Sequence, residues 1–129
     1  MIVNRSPEPV ILSLQINDSP YNRYINDEVL AKQTLSDSEY KHENWKPLAP
    51  GEYNADEENN RITISLNSQE ALRVESITNY EENRSSSGEG FRIRSIKLTG
   101  SNGEVSYMGD QARIQFSKAN RGHREIVYR

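Results

Sequence analysis

The side chains best suited to recognition lie close together in one polar, turn-rich segment, residues 34–60. They are two tyrosines, the single tryptophan and two carboxylates, namely Tyr40, Trp45, Tyr53, Asp56 and Glu58. Flat aromatic rings with a polar edge stack on sugars or pack in protein interfaces, and carboxylates accept hydrogen bonds from hydroxyl groups. The set therefore predicts a surface that binds a carbohydrate or a protein ligand. The alternative is that Trp45 anchors the segment onto the rest of the fold together with Leu48.

Side chains for catalysis are scarce by comparison. The two histidines, His42 and His123, are far apart in the chain, and there is no cysteine. Nucleophilic catalysis needs a nucleophile beside a base, and the sequence has neither a Gly-x-Ser-x-Gly elbow nor a glycine-rich phosphate loop. We therefore expect a protein that is not an enzyme and that needs no cofactor.

Acidic side chains leave two alternatives open. The run 54–60 offers carboxylate and amide oxygens, which calcium prefers, but it lacks the fixed spacing of an EF-hand loop. We favour a solvated turn over a calcium site there. Glu39, Glu43, Asp56 and Glu58 could also supply the carboxylate pair of a glycoside hydrolase, which we rank last because nothing in their spacing requires it.

Basic side chains are concentrated near the end of the chain. Residues 91–129 include 8 basic and 3 acidic residues, whereas residues 1–90 include 8 and 16. Four basic residues are predicted to project from strands: Arg92, Arg94, Lys97 and Arg113. They form either a contact surface for a polyanion or acidic partner, or internal ion pairs with the acidic part of the chain. Nucleic acid is a disfavoured partner, because the pI is about 5.4 and the strand aromatics are expected in the core.

These side chains must be positioned by strands, because apolar residues alternate with polar ones through the second half of the chain. The alternation covers residues 61–66, 91–99, 112–117 and 124–128, and an earlier apolar run covers 10–16. A period of two residues is typical of strands that have one buried and one solvated face. Regularly spaced strands of this kind predict a single all-β domain over residues 1–129. Its architecture is an antiparallel β-sandwich of jelly-roll or immunoglobulin-like type.

Two local features refine this prediction. The apolar positions change parity between Ile93 and Ile96, so both can face the core only if a residue is inserted near Arg94, and we predict a β-bulge there. One short helix is expected between residues 26 and 46, inside the long excursion of the N-terminal half. Its start matches a capping pattern at 36–39, although residues 26–33 also fit a helix and residues 24–30 an edge strand.

Bulk properties limit the class of protein. A mean hydropathy of −0.89 in 129 residues implies a lean core, which suits a thin sandwich. No apolar segment is long enough for a signal sequence or a membrane span, so we expect no membrane partner and a cytoplasmic or particle-associated location.

These observations predict a non-catalytic binding module that recognises a carbohydrate or protein partner through residues 34–60. The alternative is a structural or assembly protein of a phage or viral particle. In that case edge strands, including the one predicted at the end of the sequence, would pair between subunits of a homo-oligomer.

Overall fold

A computed structural model describes residues 1–16, 30–35, 44–49, 51–56, 58–59, 61–74, 93–120 and 125–129. Those residues form ten strands and one helix. The strands are β1 (Ile2–Asn4), β2 (Val10–Ile16), β3 (Leu30–Thr34), β4 (Lys46–Pro47), β5 (Asn54–Asp56), β6 (Arg61–Leu66), β7 (Glu70–Val74), β8 (Ile93–Gly100), β9 (Gly103–Met108) and β10 (Ile126–Tyr128), and the helix is α1 (Asp110–Asn120).

Within the described residues, the strands form two five-stranded sheets. Sheet A has the order β10-β1-β7-β3-β4, and sheet B has the order β5-β6-β2-β8-β9. Neighbouring strands are antiparallel except β1 and β10, which are parallel. The predicted all-β antiparallel sandwich is therefore confirmed. The sequence does not predict β1, because all three of its side chains are buried and so they show no alternation.

The core lies between the sheets, and long strands such as β6 and β8 contribute alternate residues to it. In sheet B, Leu12 pairs with Ile64 on one neighbouring strand and with Leu98 on the other, and all three side chains are buried. Intervening positions such as Ser65 and Lys97 are exposed. Removing each large apolar side chain from water stabilises the fold by about 1.5–3 kcal/mol.

The predicted β-bulge is confirmed on β8. Gln15 of β2 pairs with Ser95, whereas Ile16 pairs with Ile93, so Arg94 is left out of this ladder. The extra residue lets Ile93 face the core together with the apolar residues that follow it, and Ile93 is only 4% exposed. The Arg94 carbonyl accepts a hydrogen bond from the Gly109 amide at 2.9 Å, which ties the bulge to the residue before α1.

The prediction of a strand over residues 112–117 is wrong, because this segment belongs to α1. Ala112 and Phe116 are buried, but Ile114 is 37% exposed, whereas a strand would bury all three on one face. Gln, Ala, Arg and Lys favour a helix here, and Asp110 in the first turn complements the helix dipole. The helix packs against β8, β9 and β10 and so covers one side of the sandwich.

Of the described residues between 26 and 46, only Asn44 is helical, in a 3₁₀ conformation, and none belongs to an α-helix. Residues 30–34 form strand β3, which pairs with β7 along its whole length, so the helical interpretation of this stretch is wrong. The capping pattern at 36–39 lies outside the described residues. The excursion also contains two short strands, β4 and β5, that the sequence does not predict.

Side-chain hydrogen bonds also join the two sheets at three points in the described residues. The Asn4 side-chain amide donates to the Leu66 carbonyl at 3.0 Å, the Lys32 ammonium donates to the Ser65 carbonyl at 2.5 Å, and the Tyr128 hydroxyl donates to the Gly103 carbonyl at 3.0 Å. Each donor belongs to sheet A and each acceptor to sheet B. The sheets are therefore held in register by polar contacts as well as by the apolar core.

Candidate functional site

A groove of about 710 Å³ opens where β3 and β4 form the edge of sheet A. Its walls come from these strands, from the residues just before and after β4, and from the turn between β6 and β7. The lining residues are Lys32, Gln33, Thr34, Asn44, Lys46, Pro47, Leu48, Glu52, Asn67 and Glu70. We call it the polar groove, because all of them except Pro47 and Leu48 carry polar or charged side chains.

Strand register places charged groups on the inner side of sheet A at this edge. Lys32 follows the buried Leu30 by two residues, so both side chains lie on the side that faces sheet B. The Lys32 ammonium donates to the Ser65 carbonyl at 2.5 Å and lies 3.9 Å from a carboxylate oxygen of Glu70. The Lys32 and Glu70 side chains are 17% and 18% exposed, so solvent screens this ion pair less than one on an open surface.

Two tight turns border the polar groove, and in each turn a backbone amide donates a hydrogen bond to the carboxylate of the turn's own glutamate. In the first, the Glu52 amide donates to the Ala49 carbonyl at 3.0 Å, and the Ala49 amide donates to the Glu52 carboxylate at 3.0 Å. Gly51 in this turn has a φ of 98°, which glycine adopts without strain. In the second, the Glu70 amide donates to the Asn67 carbonyl at 3.0 Å, and the Asn67 amide donates to the Glu70 carboxylate at 2.6 Å.

The turn at residues 67–70 is also held in a strained conformation from outside. Gln69 has a φ of 64°, which costs a non-glycine residue about 1–2 kcal/mol. Its amide donates to the Asn4 carbonyl at 2.7 Å, its carbonyl accepts from the Leu35 amide at 2.8 Å, and its side chain donates to the Arg5 carbonyl at 3.3 Å. Strained backbone persists where its surroundings over-determine it, often beside functional sites. The adjoining wall of the polar groove is therefore preorganised.

Trp45 and Tyr53, the two described aromatic residues of the predicted surface, pack against different hydrophobic clusters. Trp45 contacts a small cluster formed by Val3, Leu35 and Ala71 on the outer side of sheet A, away from the main core. The Arg73 guanidinium lies 5.3 Å from the centre of its ring. These contacts support the interpretation that Trp45 anchors the excursion onto the sandwich.

Tyr53, the other described aromatic residue of the predicted surface, does not share a cluster with Trp45. Tyr53 packs against the main core between the sheets. Tyr40 lies outside the described residues, as do both histidines. Leu48, expected to help anchor the excursion, is buried in the main core at 2% exposure.

The predicted carboxylates Asp56 and Glu58 lie at the turn between β5 and β6, and neither lines the polar groove. Asp56 accepts hydrogen bonds from the Asn59 side-chain amide at 2.7 Å and from the Asn59 backbone amide at 3.2 Å. These bonds, with a smaller contribution from the positive charge of Arg61, lower the pKa of Asp56 below its ordinary value. Its carboxylate is thus engaged by its own turn, whereas Glu58 is exposed.

The predicted basic residues are distributed over different elements. Arg94 and Lys97 are exposed on β8, and the Lys97 ammonium lies 3.8 Å from the Glu104 carboxylate. Both partners of that pair are about half exposed, so its contribution to stability is small. Arg113 lies on α1, so it does not extend a row of strand residues. Its side chain and the whole of Arg92 lie outside the described part of the structure.

Two kinds of feature are absent from the described residues. No group of three histidine or carboxylate side chains there could hold a metal ion. No helix there is long and apolar enough to cross a membrane.

The sequence predicts only part of the polar groove. The predicted 34–60 segment includes Asn44, Lys46 and Glu52, although their residue types did not identify them as binding residues. Lys32 and Glu70 lie outside this segment. They come together through the pairing of β3 with β7, which a local sequence pattern does not show. One signal was available, since both turns have a glutamate three residues after the turn begins, as in a capping box.

Comparison of the chain with protein-family models, with curated proteins and with solved structures finds no match.

Proposed function

We propose that this protein is a non-catalytic binding module that holds a hydroxyl-rich ligand, an oligosaccharide, in the polar groove. The observation that supports the proposal is the groove itself, about 710 Å³ in volume and lined mostly by polar side chains. Its size falls within the range of about 300–1,000 Å³ that is typical of ligand sites.

The lining favours a hydrophilic ligand over an apolar one. Most small-molecule pockets are lined by hydrophobic and aromatic side chains, whereas only Pro47 and Leu48 are apolar here. Asn44 and Asn67 each offer an amide donor and an amide acceptor, and Thr34 offers a hydroxyl. A sugar hydroxyl is itself both donor and acceptor, so this mixture matches it better than a set of donors or acceptors alone.

The proposal keeps the predicted region of the chain but changes the contacting residues. Asn44, Lys46 and Glu52 belong to the 34–60 segment, whereas Trp45 packs on the outer side of sheet A. Because Trp45 lies between two groove residues in the chain, its fluorescence is a suitable reporter of binding. A concave groove also favours an oligosaccharide over the surface of a folded protein.

The experiment is a titration of neutral and acidic oligosaccharides, followed by amide chemical shifts and by Trp45 fluorescence. We expect the shifts to concentrate at residues 44–48 and 67–70, and Asn67→Ala to weaken binding. Ser106→Ala, on an exposed position of β9 that does not line the groove, is the matched control and should bind normally. A panel that leaves every groove amide unshifted would falsify the proposal.

One observation favours the second candidate, a structural or assembly protein. β10 is the outermost strand of sheet A, and among the described residues only one of its edges is paired in a sheet. A strand edge that no other strand of the sheet occupies can pair with a strand of another subunit. Sedimentation velocity separates the candidates: assembly predicts larger species as concentration rises, and a monomer at every concentration speaks against it.

A further inference from the structure

We infer that the ligand of the polar groove carries an anionic substituent, a carboxylate or sulfate on a sugar, and that the ammonium group of Lys46 binds this substituent. The inference rests on the proposed function and adds the charge class of the ligand. It comes from the arrangement of two lysines across the strands β3 and β4.

Lys32 and Lys46 are directly opposite each other in the antiparallel pairing of these strands. Directly opposite residues project to the same side, with their Cβ atoms about 4.5–5.5 Å apart. Both residues line the polar groove. Like charges in this arrangement repel, so the pair makes β3 and β4 associate less favourably in the absence of an anion.

Within the described residues, only one of the two lysines has a carboxylate nearby that offsets its positive charge. The Lys32 ammonium donates to the Ser65 carbonyl and lies 3.9 Å from Glu70. Lys46 lies on an exposed two-residue strand, and no carboxylate of the described residues comes within ion-pairing distance of it. The ammonium of Lys46 is therefore available to a ligand.

Among the described residues, neither carboxylate of the groove forms an ion pair with Lys46. Glu70 is engaged by the Asn67 amide at 2.6 Å and by Lys32, and Glu52 accepts from the Ala49 amide at 3.0 Å. An anionic group beside Lys46 would relieve the repulsion with Lys32. It would also gain a charge-assisted hydrogen bond, which is stronger than a bond between neutral groups.

A competing explanation is that Lys46 only protects an exposed sheet edge, since lysine and proline on edge strands discourage edge-to-edge association. That role predicts that replacing Lys46 changes self-association and leaves binding unchanged. The two explanations therefore predict different effects of Lys46→Gln on ligand binding.

The test compares acidic oligosaccharides with neutral counterparts that share the same backbone. The probes are oligogalacturonates against their methyl esters, which test a carboxylate, and chondroitin sulfate oligosaccharides against desulfated ones, which test a sulfate. We expect an acidic probe to bind more tightly than its neutral counterpart and to lose affinity as salt rises. We also expect Lys46→Gln to weaken the binding of an acidic probe about tenfold or more, and to weaken the binding of its neutral counterpart much less.

Lys97→Gln is the control, because Lys97 is an exposed strand lysine that does not line the groove. It should leave the affinity for acidic probes unchanged. Equal affinity for acidic and neutral probes, or no effect of Lys46→Gln, overturns the inference and leaves the proposed function standing. Binding of neither kind of probe at the groove overturns both.

Discussion

Asn4 shows how one buried polar side chain organises a distant part of the chain. It is fully buried, and its amide nitrogen donates to the Glu8 and Leu66 carbonyls at 2.8 and 3.0 Å. Its amide oxygen accepts from the Ser6 amide at 2.9 Å and from the Ser6 hydroxyl at 2.6 Å. Every donor and acceptor of the side chain is satisfied. The Asn4 backbone carbonyl also accepts a hydrogen bond from the Gln69 amide, which lies in the turn at residues 67–70 beside the polar groove.

Asn4→Asp should destabilise the protein strongly at neutral pH. The substitution keeps the shape but replaces the amide donor with a carboxylate oxygen that faces two carbonyl oxygens. We expect a loss of at least about 2 kcal/mol in the free energy of unfolding, measured by urea denaturation. Asn54→Asp, the same change on an exposed strand residue, should cost less than about 0.5 kcal/mol. Similar losses for the two variants would show that the buried network does not matter.

Residue types alone predict little of the candidate site. Trp45 stands out in the sequence as the single tryptophan, yet it packs on the outer side of sheet A. Lys46 resembles any other surface lysine until the pairing of β3 with β4 places it opposite Lys32. The charge arrangement of the polar groove is therefore a product of strand register, which a local pattern does not contain.

At the scale of elements, α1 shows where a period of two residues misleads. Residues four positions apart share a face in both a helix and a strand, so Ala112 and Phe116 do not distinguish the two. Only the residue between them does, and Ile114 is 37% exposed whereas Phe116 is 8% exposed. The amino-acid types do favour a helix over a strand, because Gln, Ala, Arg and Lys dominate this stretch.

Substitutions along α1 should follow the helical periodicity. Ile114→Gln should change the free energy of unfolding by less than about 0.5 kcal/mol, because the side chain is already partly in water. Phe116→Ala should cost about 3–5 kcal/mol, because it removes a buried ring that contacts the core. Chemical denaturation of both variants is the measurement. A strand would make Ile114→Gln nearly as costly as Phe116→Ala.

The strands differ in how far the sequence predicts them. β2, β6 and β8 are long enough to show an alternation, and even the bulge in β8 follows from its change of parity. β4 and β5 have two and three residues and exposed side chains, so they have no buried face to produce a pattern. Their positions depend on pairing with longer strands.

Single-residue deletions in β8 test the bulge directly. Deleting Arg94 leaves Ile93 and Ile96 two positions apart, so both still face the core in a regular strand. We expect this variant to fold and to lose about 1–2 kcal/mol, including the hydrogen bond from Gly109. Deleting Lys97 reverses the face of Leu98 relative to Ile96 and should remove cooperative unfolding in urea, because several buried side chains become exposed. Equal tolerance of the two deletions would contradict the bulge.

At the scale of the whole molecule, the polar contacts between sheets A and B lie at separate places. Lys32 belongs to β3 and Tyr128 to β10, and two strands of sheet A separate them. With strands about 4.8 Å apart, the contacts are about 14 Å from each other. Tyr128 also accepts a hydrogen bond from the Asn102 amide at 2.9 Å, so it holds the β8–β9 hairpin while Lys32 holds β6 beside the polar groove.

Removing these two contacts together should therefore give additive losses. Lys32→Met keeps most of the side-chain stem but removes the bond to Ser65 and the pairing with Glu70, and Tyr128→Phe removes only a hydroxyl. Each should lower the free energy of unfolding by about 1 kcal/mol, and the double variant by about 2 kcal/mol, because distant sites without shared partners act independently. Urea denaturation of the four proteins in this cycle measures the coupling. A coupling larger than about 0.5 kcal/mol would mean that the sheets shift against each other when either contact is lost, so that the mouth of the polar groove and the hairpin at the opposite edge move as one unit.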